Sequence, residues 1–214
     1  MGIVGGTGDI GEGIAMRLSS MHSVLIGSRD VEKAVQSSKI CMTELFRREL
    51  PCSCDGFSNQ EVVDESEIII LAIPFPHVKS TITALNGFED KIVITPVNPM
   101  VKQDYFMYVP PPEGSAALFI KNLLPEGTRL CTAFNTVAAN KWKALDLELD
   151  LAVPVCGDDP GAKAVVMDLV NSISKVRAYD AGPLDASCMV ECLTPLLLNI
   201  ARFNRMRDVG IQFR

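Results

Sequence analysis

The sequence has only two histidines, one tryptophan and three tyrosines in 214 residues, so a chemistry built on clustered imidazoles has little to draw on. Positive charge is also scarce. Against 26 Asp plus Glu stand 20 Lys plus Arg, a net charge of −6, and without a cationic surplus to neutralise backbone phosphates no nucleic-acid partner is expected. No run of about 18 uninterrupted apolar residues occurs, so no membrane partner is expected either. The chain opens directly on Met1-Gly-Ile-Val-Gly5, with no charged leader and no apolar stretch before a cleavage site, which predicts a cytoplasmic protein. Internal repeats and low-complexity segments are missing as well. What the chain does have is apolar residues, 48% of the total, enough for the core of one large or two small domains.

Seven cysteines is a high count, but the number is odd and no export signal accompanies it, so a disulfide scaffold is not expected. Cys52-Ser-Cys54 and Cys188-x3-Cys192 do not have zinc spacing, and His22 and His77 cannot complete four soft ligands, so no metal site is expected. Others sit in apolar runs, where a free thiol acts as a small hydrophobe.

Short β-branched runs alternate with helical stretches. This pattern predicts an α/β fold of Rossmann type, a doubly wound, mostly parallel sheet with helices on both faces. The strands expected are 2–5, 23–27, 68–73, 91–95, 129–134, 151–156 and 176–180. Helices are expected near 10–20, 30–49, 77–85, 114–123, 160–174 and 186–204. Residues 1–182 then form the dinucleotide-binding domain and 183–214 a small helical C-terminal domain, with the segment about 137–150 packing beside the latter.

Directly after the first, short strand comes Gly6-x-Gly8-x-x-Gly11 at the head of a helix. The strand is short enough that a residue or two missing from the start is consistent with it. Gly6 permits the tight turn, Gly8 lets backbone approach a pyrophosphate, and Gly11 lets helix and strand pack closely. An NAD-preferring site closes the second strand with Asp or Glu about twenty residues on. Here the strand ends Ile26-Gly27-Ser28-Arg29. Arg29 can fork onto a 2′-phosphate, Ser28 can donate to it and Lys33 follows one helical turn later, so the cofactor expected is NADP. Asp30 reads as the N-cap of the next helix.

The segment from Cys188 to Ala201 carries one charge, Glu191. A helix apolar on most faces needs cover on most faces, so 186–204 is expected to pack between the subunits of a homodimer. Pro195 cannot donate to the Glu191 carbonyl, which predicts a kink beside the Thr194 hydroxyl.

The combination of Gly5-Gly-Thr-Gly, Gly27-Ser-Arg29, Val153-Pro-Val-Cys-Gly-Asp-Asp159, Asp180-Ala-Gly-Pro-Leu184, Leu193-Thr-Pro-Leu196 and 199–210 resembles the archaeal NADPH-dependent reductases of coenzyme F-420 from end to end. The resemblance implies reversible hydride transfer between C4 of the nicotinamide and C5 of the deazaflavin, with the rings held face to face and no catalytic acid or base. It assigns Thr7, Gly8, Asp9 and Ile10 to the pyrophosphate, and Ser28, Arg29 and Lys33 to the 2′-phosphate. Ile73, Pro74, Val97, Asn98 and Ala139 fall to the nicotinamide half. Ser53, Asn135, Val137, Cys192, Thr194 and Val209 fall to the deazaflavin. Some family members carry His at the position of Asn135 and Ser at that of Cys192. The family is also similar to the cytoplasmic reductase domains of membrane ferric reductases.

Two other readings remain open on the residues. A reductase of a small imine or keto acid would share the NADP turn and the helical tail, with His77, Lys141 or Tyr179 as proton donor. A non-catalytic NADP sensor would need no second ring site. Arg202, Arg205, Arg207 and Arg214 against Asp208 make the tail locally basic, which would suit the anionic tail of the deazaflavin.

Overall fold

The computed structural model describes residues 1–207 and 209–213, so Asp208 and Arg214 lie outside the described residues. Its main sheet has the strand order β10-β9-β8-β5-β4-β1-β2-β3. The chain enters the middle at β1 (Gly2–Val4) and moves outward through β2 (Val24–Ser28) to β3 (Cys54–Ser58). It then crosses back to β4 (Ile68–Leu71), β5 (Ile92–Thr95) and β8 (Arg129–Thr132) on the other side. These six strands are parallel, so their carboxyl ends share one edge, and the order reverses between β1 and β4. That reversal opens the crevice in which doubly wound sheets bind ligands. The outer pair, β9 (Leu151–Gly157) and β10 (Val176–Asp180), is parallel within itself and joins β8 antiparallel.

The central strands are buried on both faces. Ile3, Ile70 and Ile94 point into one core, beneath α1 (Asp9–Leu18), α2 (Val31–Phe46) and α7 (Pro160–Asn171). Val4, Ile69, Leu71 and Val93 point into the other, beneath α3 (Asn59–Asp64), α4 (Val78–Ile82) and α5 (Ala116–Lys121). An apolar run without alternation, such as Ile68–Leu71, is what a strand covered on both sides requires.

The structure differs from the sequence reading in five places, the first being the short helix α3, which no expected helix covers. β3 goes unrecognised there because Cys54-Asp-Gly-Phe-Ser58 is short, mixed and at the sheet edge, where burial imposes little pattern. A separate hairpin of β6 (Met100–Lys102) and β7 (Phe106–Tyr108) stands off the sheet. α6 (Ala139–Lys143) fills part of 137–150; that segment packs on α1 and also meets the C-terminal part around a cavity. The expected helix 186–204 is broken: a 3-10 turn at Leu184–Ala186, then α8 (Ser187–Glu191), then α9 (Leu193–Phe203) beyond a junction at Cys192. Pro195 in the first turn of α9 has no N–H for the Glu191 carbonyl, which explains the break. The Thr194 hydroxyl does not satisfy that carbonyl; it donates to Asn135 O at 2.7 Å.

Glu191, fully buried, holds the pieces together. Its carboxylate accepts from Ala116 N (2.8 Å), Ala117 N (2.9 Å) and the Tyr108 hydroxyl (3.1 Å). Asn199 on α9 bonds both the N–H and the carbonyl of Phe106, each at 2.8 Å, so the hairpin is tied to both tail helices.

Candidate functional site

The crevice starts at the glycine turn. Gly5 has φ of +70°, and its N–H donates to Asn59 Oδ1 at 3.1 Å, while Gly6 N donates to Gly27 O at 2.8 Å. A Cβ on Gly11 would lie 2.6 Å from Gly6 Cα, so strand and helix meet at backbone distance. At Gly8 the reverse holds. A Cβ there would meet only Gly5 O, at 3.9 Å, and would fill the open space at the head of α1. Gly8 is the N-cap of α1 and brings no side chain to the first N–H groups, which leaves them, with the positive end of the helix, facing a cleft of about 290 Å³. Thr7, Gly8, Ser28, Arg29, Lys33, Ile73 and Pro74 line that cleft, and Asp9 and Ile10 open the helix behind it.

Ser28 closes β2. Its Oγ accepts from Asp30 N at 3.1 Å, leaving the hydroxyl proton free for a ligand. Asp30 caps α2 through Glu32 N (3.1 Å) and Lys33 N (3.4 Å), as its sequence position predicts. Arg29 is exposed, and among the described residues the Lys33 ammonium has a loose, exposed contact to Asp30 at 3.7 Å. Both cations can reach an added phosphate at little cost.

Along the same edge, beyond β5 and β8, the two asparagines interlock. Asn135 Nδ2 donates to Val97 O and Asn98 Oδ1, both at 3.1 Å, and Asn98 Nδ2 donates to Asn135 O at 3.2 Å. Phe134, with φ of +67°, turns the chain into this arrangement. Beside it lies a second cavity of about 280 Å³, walled by Asn135, Val137, Ala139, Thr194 and Val209. Two buried polar atoms on the segment, Asn135 Oδ1 and Thr136 Oγ1, have no hydrogen-bond partner among the described residues. Such atoms are costly unless a ligand or water completes them.

Two assigned residues do not join this site. Ser53 precedes β3, where its carbonyl accepts from Val24 N (2.9 Å) and its N–H donates to Ser19 O (2.9 Å). Since β3 runs parallel to β2, Ser53 stands at the amino edge of the sheet, opposite the crevice, and its assignment to the deazaflavin is corrected. Cys192 sits at the α8–α9 junction with its thiol donating to Met189 O at 3.1 Å, and it is not among the residues lining the second cavity. Of the histidines, His77 ends a 3-10 turn and lines the first cleft, while His22 bonds Ser172 Oγ (3.2 Å) before β2, away from the crevice.

Asn59, which pins the glycine turn from α3, went unassigned. Its local signal is faint: it follows Ser58, whose capping box with Glu61 fixes only where the helix begins. All seven cysteines are free thiols. Cys41 on α2 is held down to about 7 by a hydrogen bond from the Cys54 thiol, at the sheet edge away from the crevice.

The sequence model of the family described as "NADP oxidoreductase coenzyme F420-dependent" matches residues 1–99. The F420-dependent NADP reductase of Methanocaldococcus jannaschii is 35% identical, over 98% of this chain and 96% of its own. That of Methanothermobacter marburgensis is 32% identical over the same shares. The rat metalloreductase STEAP3 is 27% identical over 90% of this chain but only 36% of its own. Among solved structures, one described as an F420-dependent NADP-reductase of Arthrobacter sp. FB24 superimposes with a TM-score of 0.80 at 19% identity, covering 100% of this chain and 98% of that one. A reductive aminase of Aspergillus terreus in complex with NADPH gives 0.64 at 14%, covering 95% and 62%.

Proposed function

The chain belongs to the F420-dependent NADP reductases, and from that membership and the crevice geometry we infer how its residues serve an oxidoreductase of NADP and coenzyme F-420. The observation that carries the reading is the placement of two cavities along one sheet edge, the first at the glycine turn and the second beyond the Asn98–Asn135 pair.

The residues fit both coenzymes. The space that a Cβ on Gly8 would fill, at the head of α1, suits a pyrophosphate. Ser28, Arg29 and Lys33 offer a hydroxyl, a guanidinium and an ammonium that would hold a ribose 2′-phosphate. The buried Asn135 Oδ1 can accept from an N–H on a ring edge in the second cavity.

When bound, the coenzymes supply a hydride donor at C4 of the nicotinamide and an acceptor at C5 of the deazaflavin. The protein's part is then to position. Ile73 and Pro74 offer apolar contact to one ring, Val137 and Val209 wall the space for the other, and Ala139, which the resemblance gives to the nicotinamide half, lines that second space rather than the first cleft. Thr194 and the two asparagines fix the loop between them, so orientation rather than proton transfer lowers the barrier. One proton also goes to a ring nitrogen of the reduced deazaflavin and solvent can supply it, so no side chain need exchange a proton.

The apolar face of the tail supports a homodimer. Met189, Leu196 and Phe203 are 61%, 52% and 68% exposed in the single chain. By length and composition Leu184–Phe203 could cross a membrane, but the break at Cys192 and the inward anchoring of Glu191 favour a subunit contact. The free thiols suit a reducing cytoplasm.

The test is an anaerobic mixture of the purified protein with NADPH and oxidised coenzyme F-420, followed by the deazaflavin's visible absorbance. Rapid bleaching with NADPH, slow with NADH and absent with a flavin acceptor, is the expected result. Tight NADPH binding without bleaching would overturn the reading.

A further inference from the structure

α1 presents Asp9, Gly13 and Arg17 four residues apart, a single stripe along the helix. Against that stripe lies α6. A Cβ on Gly13 would lie 2.3 Å from Trp142 Cβ, so the two helices touch at their backbones. At the far end Arg17 donates to the carbonyls of Trp142 (3.0 Å), Lys141 (2.9 Å) and Leu147 (3.3 Å), and also to that of Ala144. At the near end Lys143 Nζ bonds Asp9 Oδ1 at 2.7 Å and Glu12 Oε2 at 2.8 Å. Glu12 is held in turn by the Ser37 hydroxyl at 2.7 Å.

Asp9 is the first residue of α1, so its carboxylate stands beside the N–H groups that meet a pyrophosphate. Two acids in this first turn would repel a dianionic ligand. Each charge a few ångströms away acts with about 1 kcal/mol even in water, and more where the site is partly desolvated. Lys143 is the cation that faces both. Burial alone would lower its ammonium, yet the Asp9 and Glu12 carboxylates hold it above its ordinary value, so it carries its charge throughout the neutral range.

We propose that Lys143 is a positioning residue for the dinucleotide, cancelling the Asp9 and Glu12 charge at the head of α1 and fastening the wall of the second cavity, Asn135–Asn140, to the glycine turn. The proposal rests on the NADP reading above. Lys143 touches no ligand; it acts through Asp9 and through the segment it anchors.

The test measures NADPH affinity, and the split between KM and kcat, in the full-length protein, with melting curves to establish folding. Lys143→Met is expected to weaken NADPH about five- to twentyfold at low salt, chiefly in KM, and the deficit should shrink towards twofold near 1 M salt. Lys143→Arg should restore affinity to within about twofold, and Asp9→Asn added to Lys143→Met should recover most of the loss. Asp9→Asn alone, at a side chain 82% exposed and safe for folding, is expected to tighten NADPH a few-fold. Unchanged affinity in Lys143→Met, a deficit indifferent to salt and to Asp9→Asn, or weaker binding in the single Asp9→Asn variant would overturn the proposal. Failure of the unsubstituted protein to bind NADPH would instead overturn the cofactor reading on which it stands.

Discussion

The Thr194 hydroxyl donates to the backbone carbonyl of Asn135 at 2.7 Å, joining the first turn of α9 to the loop that ends β8. This bond ties the tail to the loop that follows β5 as well, because Asn135 also holds Val97 and Asn98. Thr194→Val keeps the shape and removes the donor. The expected result is a several-fold rise in the KM for coenzyme F-420 with NADPH affinity within twofold, and a stability loss of about 1 kcal/mol by urea titration. Equal losses for both coenzymes would mean that the bond supports the fold at large.

Arg29 and Lys33 are exposed and weakly engaged, so removing them costs the fold little. Arg29→Ala with Lys33→Ala is expected to raise the KM for NADPH by about tenfold or more while leaving that for NADH nearly unchanged. Steady-state kinetics with both nucleotides checks this. A parallel rise for both would place the 2′-phosphate elsewhere.

The crevice was legible where backbone chemistry demands particular residues. The glycines after β1 and the Arg29 that comes after β2 in place of a carboxylate follow from spacing that only certain side chains satisfy. Burial on both faces likewise made Ile68–Leu71 readable as a central strand. What sequence could not provide was partnership across long separations. Nothing local to Asn59 announces a bond to Gly5, and Lys143 meets Asp9 and Glu12 only once Gly13 has let Trp142 settle on α1. Ser53 came to the deazaflavin by resemblance alone, and with β3 unrecognised nothing in the sequence placed it at the opposite sheet edge.

His77 lines the first cleft and is the side chain best placed to protonate a carbonyl or imine. Hydride transfer between two organic coenzymes needs no such proton. His77→Ala is expected to change the F-420 reaction rate less than about threefold, measured by stopped-flow bleaching. A loss of about a hundredfold would favour acid catalysis and the reductase of small substrates.

If the exposed face of α9 is a subunit contact, a charge there must separate the chains. Leu196→Asp, at a position 52% exposed in the single chain, should convert the dimer to monomer in light scattering without loss of helical circular dichroism. Deazaflavin reduction should then weaken, because Thr194 and Leu197 on the same helix wall the second cavity. An unchanged mass would move the contact to another face.

Glu191 sets a pH dependence with a definite sign. Burial raises its pKa above the ordinary 4.5, against the opposing pull of the Ala116 and Ala117 N–H groups and the Tyr108 hydroxyl. The folded chain therefore keeps a proton on this carboxyl that the unfolded chain releases above about 4.5. Its contribution to stability is fullest below that value and declines as pH rises through the folded pKa. Glu191→Gln cannot ionise, so the difference between wild type and variant should move in favour of the variant as pH rises from 4.5 towards neutrality. Urea unfolding of both proteins at a series of pH values measures that difference. The variant will still be the weaker at low pH, since the hydroxyl oxygen of the protonated carboxyl can still accept a hydrogen bond and the glutamine NH2 group cannot. A difference that stayed flat across the range, or that ran the other way, would mean that the three hydrogen bonds outweigh burial and that Glu191 is charged within the fold.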